Sequence, residues 1–232
     1  MKKNTFLKRH LTFTKDGSSS LKLNCFDEYF HSVHGAIGES MHVYIHAGLE
    51  ALSQQQISVF EMGFGTGLNA LLTLVYGKNK QIDYQTIEIF PLVEREYLSL
   101  NYVDLVCTQA VSSFSKEKLH NSFLTMHQSK SGETIQISPN FRFTKEIIHL
   151  EEKIFEPQSF DIVYFDAFSP ETQPELWNDQ VFEKLCAAMR KGGVLTTYCA
   201  KGTVKRSLKR AGFTIENLPG PTGKREITRA FF

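Results

Sequence analysis

The chain has 232 residues, 41% hydrophobic and 22% charged, the profile of an ordinary globular protein with one sizeable core, and this excludes a disordered or low-complexity chain. A formal net charge of +1 argues against a uniformly basic nucleic-acid binder, and no apolar run approaches membrane-spanning length. Four scattered cysteines, Cys25, Cys107, Cys186 and Cys199, form no Cys-x-x-Cys pair, and the segment from Met1 to Arg9 has no signal-peptide pattern, so a cytoplasmic protein with reduced thiols is expected.

Residues 5–24 alternate apolar and polar positions around Lys15-Asp16-Gly17, which predicts a β-hairpin turning there. The following run, from Tyr29 through His34 to Ser40, is rich in aromatics and histidines and is expected to wall a pocket. Residues 1–39 are read together as an N-terminal extension, and 40–232 as one compact unit. A helix is predicted over 40–52 with Ser40 as its cap. His31 with His34 and His42 with His46 have spacings a metal tolerates, but no cysteine or carboxylate motif accompanies them, so no metal site is assigned.

Ile57 to Val75 is the most informative stretch. An apolar strand pattern meets Glu61-Met-Gly63-Phe-Gly65-Thr-Gly67-Leu-Asn69 and then a helical pattern. A helix N-terminus offers free N–H groups, and glycines let a ligand approach the backbone closely. The spacing is Glu-x-Gly-x-Gly-x-Gly rather than the Gly-x-Gly-x-x-Gly of dinucleotide folds. A carboxylate at Glu61 would repel a pyrophosphate but suit a zwitterionic amino-acid moiety, such as that of S-adenosylmethionine. Taken alone, the stretch can also be read as a tight turn packing a strand on a helix, the less favoured of the two readings.

Ile82 to Ile89 reads as a second strand ending in Glu88, placed to accept hydrogen bonds from ribose hydroxyls, and Pro91 is expected to open a helix. Residues 97–130 are expected to be helical with polar connections, and 134–138 and 141–148 to be two strands parted by Pro139-Asn140. Phe160 to Asp166 is a buried strand delivering Asp166, Phe168 and Pro170 into a loop. Asn178 caps a helix running to Met189, which Gly192-Gly193 ends. A strand over 194–199, a basic helix over 203–211 and a closing pair over 213–218 and 227–231 complete an α/β fold. From Arg190 onward basic residues, Lys201, Lys224 and Arg225 among them, are opposed within that stretch only by Glu216 and Glu226, which marks either a phosphate-binding face or a solvated one.

In a doubly wound sheet, ligands bind beyond the carboxyl ends of the strands, so Glu61, Glu88 and Asp166 are expected to converge there. Alkyl transfer from a sulfonium needs alignment and a free lone pair, and no metal. If the acceptor is an aliphatic amine, Asp166 is placed to accept its N–H hydrogen bond and Phe168 to pack against a flat ring.

Three segments, Tyr29 to Val43, Phe60 to Asn69 and Asp166 to Trp177, together with Gly220-Pro-Thr-Gly-Lys224-Arg225-Glu226, resemble the methyltransferase half of the bifunctional bacterial enzyme of tRNA 5-methylaminomethyl-2-thiouridine biosynthesis, in a stand-alone form. The likeness spans nearly the whole chain, and its Asp-Ala-Phe-Ser-Pro and Gly-Lys-Arg-Glu stretches are far more specific than the glycine loop.

The resemblance implies a class I S-adenosylmethionine-dependent methyltransferase fold, Rossmann-like, with a mostly parallel sheet, an antiparallel C-terminal strand and the N-terminal hairpin. It implies N-methylation of the 5-aminomethyl group of wobble uridine in tRNA. Carried over by position, Glu61, Gly63, Gly65, Gly67 and Asn69 match the methionine-side loop, Glu88 and Ile89 the ribose end, and Asp166 the acid facing the transferred methyl. Tyr29, His34, Phe168, Lys201, Lys224 and Arg225 are assigned to the tRNA side. The family's Gly-Asp for the adenine amino group is replaced here by Ile148-His149, with Glu151 and Glu152 nearby, and His149 is assigned to that position. The oxidase half is absent, so a separate oxidase or an upstream enzyme is expected to supply the aminomethyl form to a monomeric protein. The rival readings are a small-molecule N- or O-methyltransferase, an aminopropyl transferase, and a non-catalytic RNA-binding module retaining the pocket.

Overall fold

Strands β4 (Gln56–Met62) and β8 (Phe160–Phe165) are buried along almost their whole length because both faces of the sheet they centre are covered. The computed structural model describes residues 8–24, 27–109 and 114–232. Residues 1–7, which include the first residues of the expected hairpin, Cys25, Phe26, and 110–113 within the expected helical stretch lie outside these.

The elements run β1 (Arg9–Phe13), β2 (Ser19–Leu23), β3 (Glu28–Tyr29), α1 (Ala36–Ser40) and a π-helical turn Met41–His46, and then β4. There follow α2 (Leu68–Tyr76), β5 (Gln81–Ile87), α3 (Glu94–Tyr97), α4 (Tyr102–Gln109), α5 (Lys116–Gln128), β6 (Thr134–Ser138), β7 (Phe141–Glu146) and β8. The chain closes with α6 (Asp179–Ala188), β9 (Met189–Thr197), α7 (Gly202–Arg210), β10 (Thr214–Pro219) and β11 (Glu226–Phe231). An eight-stranded sheet has the order β10-β11-β9-β8-β4-β5-β7-β6. Its five central strands, β9, β8, β4, β5 and β7, pair in parallel, and β6, β11 and β10 are antiparallel. The strand order turns back between β4 and β8, which opens a crevice at their carboxyl ends.

The hairpin forms at the expected turn, with Phe13 opposite Ser19, and β3 extends it to a three-stranded sheet. Its turn also starts α1. Asp16 Oδ2 accepts from Gly38 N at 3.1 Å and Ser18 Oγ from Ala36 N at 2.9 Å. These contacts satisfy amides at the helix N-terminus from across the chain, so the helix begins at Ala36 and Ser40 lies inside it rather than capping it. The residue 39/40 division therefore falls within one continuous helical run.

Two further boundaries differ from expectation. Arg9 donates to the carbonyls of Phe90, at 2.5 Å, and of Pro91, and pairs with Glu96 at 2.8 Å. That tether holds the Pro91 segment extended, and α3 starts only after Val93. Gly192-Gly193 does not end a helix but sits inside β9 at a register shift, where a Cβ on Gly193 would stand 3.0 Å from Asp161 O. Asn178 does cap α6, accepting from Val181 N at 3.0 Å. No helix among the described residues is long and apolar enough to cross a membrane.

Candidate active site

The turn after β4 is built from left-handed backbone, with φ of +88° at Gly63, +51° at Gly65 and +75° at Gly67. It is held at both sides. Phe64 N donates to Ile87 O at 3.1 Å, Gly65 N to Glu88 Oε2 at 2.8 Å, and Asp166 N to Met62 O at 3.2 Å. A Cβ on Gly63 would approach Asp166 O to 3.1 Å, so the loops after β4 and β8 meet backbone to backbone. Beyond them lies a cavity of about 360 Å³, in the range of small-molecule sites.

One end of the cavity is lined by Glu88, Ile89, Ile148, His149 and Glu151. The Glu88 carboxylate, accepting also from Phe90 N at 2.8 Å, braces the glycine loop while facing the cavity. His149 is exposed, and the acid Glu151, two residues on, lines the same cavity.

Asp166 stands at the other end. Tyr44 Oη donates to its Oδ1 at 2.6 Å and Asn69 Nδ2 to its Oδ2 at 2.8 Å. Burial pushes its carboxyl up to about 6, against the two hydrogen bonds that favour the charged form. The group therefore titrates near the range in which a proton acceptor works at neutral pH. Phe30 and Phe168 meet edge to face at 5.1 Å beside it, and Trp177 Nε1 holds the Phe168 carbonyl at 2.8 Å. Glu28 of β3 accepts from Ser169 N at 2.9 Å and from the Thr172 hydroxyl, fastening this loop to the N-terminal sheet.

Of the residues singled out in the sequence, Gly63, Gly65, Asn69, Glu88, Ile89, His149, Asp166, Tyr29, Phe168 and Lys224 line the cavity. Glu61 does not. It is 1% exposed, on the sheet face it shares with Ile57 and Val59, against Tyr84, Thr86 and Asn69. Burial raises its carboxyl well above the usual range, and Oε2 has no hydrogen-bond partner. Gly67 also lies behind the wall, where a Cβ would stand 2.9 Å from the Phe64 ring and 3.0 Å from His127 Nε2, so this glycine serves packing. His34 packs against Gly223 outside the cavity, and Lys201 and Arg225 are exposed on the surface.

The basic C-terminal stretch is less free than its sequence implies. Arg190, Lys201, Lys205, Arg210, Lys224 and Arg229 pair with Asp161, Glu171, Glu226, Asp179, Glu39 and Glu216, four of these acids coming from earlier in the chain. Lys191, Arg206, Lys209 and Arg225 have no ion pair among the described residues.

Glu39, Tyr44 and Tyr198 were not singled out by sequence reasoning. Glu39 sits on the short α1 and Tyr44 on the π-helical turn after it, where i→i+5 winding replaces the regular spacing that would have marked one face. Tyr198, donating to Ala167 O at 2.9 Å, follows a buried strand and carries no local signal.

The cavity fits S-adenosylmethionine in three observations: a glycine cradle at its floor, a carboxylate at each end, and a buried Asn69 Oδ1 without a partner. The family described as S-adenosyl-L-methionine-dependent methyltransferase matches residues 108–232, more than half of the chain. A curated relative from Campylobacter hominis, a tRNA 5-methylaminomethyl-2-thiouridine biosynthesis bifunctional protein, is 31% identical over 214 residues, covering 89% of this chain and 30% of the relative. One of the same name from Pseudoalteromonas atlantica is 30% identical, covering 94% of this chain and 32% of its own. The chain thus spans roughly a third of the length of the curated relatives it matches. Among solved structures, MNMC2 from Aquifex aeolicus aligns with a TM-score of 0.76 at 21% identity, over 98% of this chain and 72% of that one. The spermidine synthase of Thermotoga maritima aligns at 0.60 and 11%, over 99% and 70%. These two likenesses establish the fold.

Proposed function

The chain belongs to the S-adenosyl-L-methionine-dependent methyltransferase family, and we propose that it methylates the nitrogen of a 5-aminomethyl group on wobble (2-thio)uridine in tRNA. The observation that carries this reading is Asp166, a carboxylate fixed by Tyr44 and Asn69 at the cavity end opposite Glu88 and flanked by Phe30 and Phe168. The curated relatives named for this tRNA modification support the substrate class.

The cofactor supplies an electrophilic methyl on sulfonium. Gly63 and Gly65 take its methionine portion against the backbone, Glu88 accepts from the ribose hydroxyls, and Glu151 or a carbonyl of the 148–150 segment takes the adenine amino group. Glu61, whose carboxyl burial raises well above the usual range, supports the loop from below. Asp166 accepts an N–H bond from the acceptor amine and turns its lone pair toward the methyl. Methyl transfer would leave the amine nitrogen with one proton to shed, and Asp166 is placed to take it. Phe30 and Phe168 hold the pyrimidine ring. In the C-terminal stretch, Lys191, Arg206, Lys209 and Arg225, exposed and without an ion pair among the described residues, are free to meet phosphates.

The test is incubation with labelled S-adenosylmethionine and tRNA carrying the aminomethyl nucleoside, followed by nucleoside mass analysis. One added methyl at the wobble position is expected, and Asp166→Asn should lower turnover by about 100-fold or more while cofactor binding persists. Transfer to free small amines but not to tRNA would overturn the proposal.

A further inference from the structure

The acceptor end holds an ion pair with no part in the chemistry above. Lys224 Nζ lies 2.5 Å from Glu39 Oε1 and 4.1 Å from the centre of the Tyr198 ring, and Glu39 Oε2 accepts from Ser32 N at 2.8 Å. Glu39, Lys224, Tyr198 and Asp166 all line the same cavity. The loop carrying Lys224 is fixed in place. Gly220 N donates to Arg225 O at 3.1 Å, His42 Nε2 donates to Pro219 O at 2.7 Å, and Gly223 lies so close to the His34 ring that a Cβ would overlap it. A lysine that reads phosphate stands in solvent, as its neighbour Arg225 does. Lys224 is turned inward instead.

The charges at this end come from several elements. Asp166 follows β8 and Glu39 lies in the last turn of α1, while Lys224 is further faced by His31, Tyr198 and Cys199, and Asp166 by Tyr44, Glu61 and Tyr84. The two carboxylates at the acceptor end, Asp166 and Glu39, would together bind an aliphatic ammonium tightly, and an ammonium has no lone pair with which to attack carbon.

We propose that Lys224 is a positioning residue that occupies Glu39, denies the acceptor amine its second carboxylate, and so admits the amine at Asp166 as the free base. This rests on the methyltransferase reading above. It deepens that reading by making the internal Glu39–Lys224 pair, rather than an RNA contact, the role of the terminal lysine.

The experiment is the pH profile of kcat/KM with the aminomethyl tRNA for the wild type, Lys224→Met, Glu39→Gln and the double variant. Freeing Glu39 in Lys224→Met should move the acid limb up by at least about one pH unit, so that activity near neutrality falls about tenfold and recovers at high pH. Glu39→Gln should leave the limb at or below the wild-type position, and the double variant should return it close to wild type. The salt dependence of tRNA binding should not change in Lys224→Met. A uniform loss at every pH with a shallower salt slope would make Lys224 a phosphate contact and overturn the inference, as would an unshifted limb. If Lys224→Met fails to fold, Lys224→Gln replaces it under the same criteria. A wild-type protein that methylates no tRNA removes the underlying reading, whereas an active wild type with unshifted variants removes only this inference.

Discussion

Tyr44 and Asp166, 122 residues apart, are joined by a 2.6 Å hydrogen bond in which the phenol donates to the carboxylate. The bond links the π-helical turn to the loop after β8 and counters the burial that lifts Asp166 to about 6. The acid is useful as a proton acceptor only when ionised, so activity depends on it above that value and fades as pH falls through it.

Tyr44→Phe removes one of the two donors holding the carboxylate down. The carboxyl should rise further, and the acid limb of kcat should shift upward, with a loss of roughly three- to tenfold near neutral pH that shrinks as pH increases. Single-turnover rates across pH measure this directly. A loss of the same size at every pH would assign Tyr44 to packing alone.

Glu61→Gln should stabilise the ligand-free protein. The folded state keeps a proton on Glu61 that the unfolded chain releases above its ordinary value of 4.5, so the native glutamate makes stability fall as pH rises past that point. Glutamine is neutral in both states. The gain in Tm over wild type should therefore be small near pH 4 and grow toward pH 8, and thermal melts at a series of pH values decide the matter.

Gly67→Ala should destabilise more than Gly132→Ala, although φ is similar at +75° and +77°. Both substitutions place a side chain in left-handed backbone, at about 1–3 kcal/mol. At Gly132 nothing lies within 4 Å, whereas at Gly67 the Phe64 ring and His127 are already at 2.9 and 3.0 Å. Overpacking there should add roughly 1 kcal/mol or more. Urea unfolding of the two variants gives the difference.

Affinity for tRNA should fall with salt less steeply than the count of C-terminal basic residues implies. If phosphates are met by the unpaired Lys191, Arg206, Lys209 and Arg225, the log–log slope should be about −2.8 to −3.6, since each contact contributes roughly −0.7 to −0.9. Fluorescence titrations over a salt series test it, and a slope near zero would remove this face from the RNA interface.

Much of this protein was determined by local sequence. The β4 run into Gly63, Gly65 and Gly67, the hairpin turning at Lys15-Asp16-Gly17, the Asn178 cap and the buried β8 strand ending at Asp166 are set by periodicity, glycine's access to positive φ and short-range capping. Each involves residues within a few positions of one another, and a strand's alternation or a helix cap needs no distant partner to be recognised. Glu88 and Asp166 line one cavity because strands that cross in parallel must present their carboxyl ends on the same side.

Tertiary structure decided the rest. Asp16 and Ser18 start α1 four residues before Ser40, and Arg9 holds the Pro91 segment out of a helix. Glu61 faces the core rather than the cavity because strand alternation puts it on the side covered by the cluster containing Val59 and Ile57. Acids far away in sequence neutralise much of the basic tail and turn Lys224 into the cavity. In every case the partner is remote along the chain, and the energy of burying or pairing a charge depends on that partner rather than on its sequence neighbours.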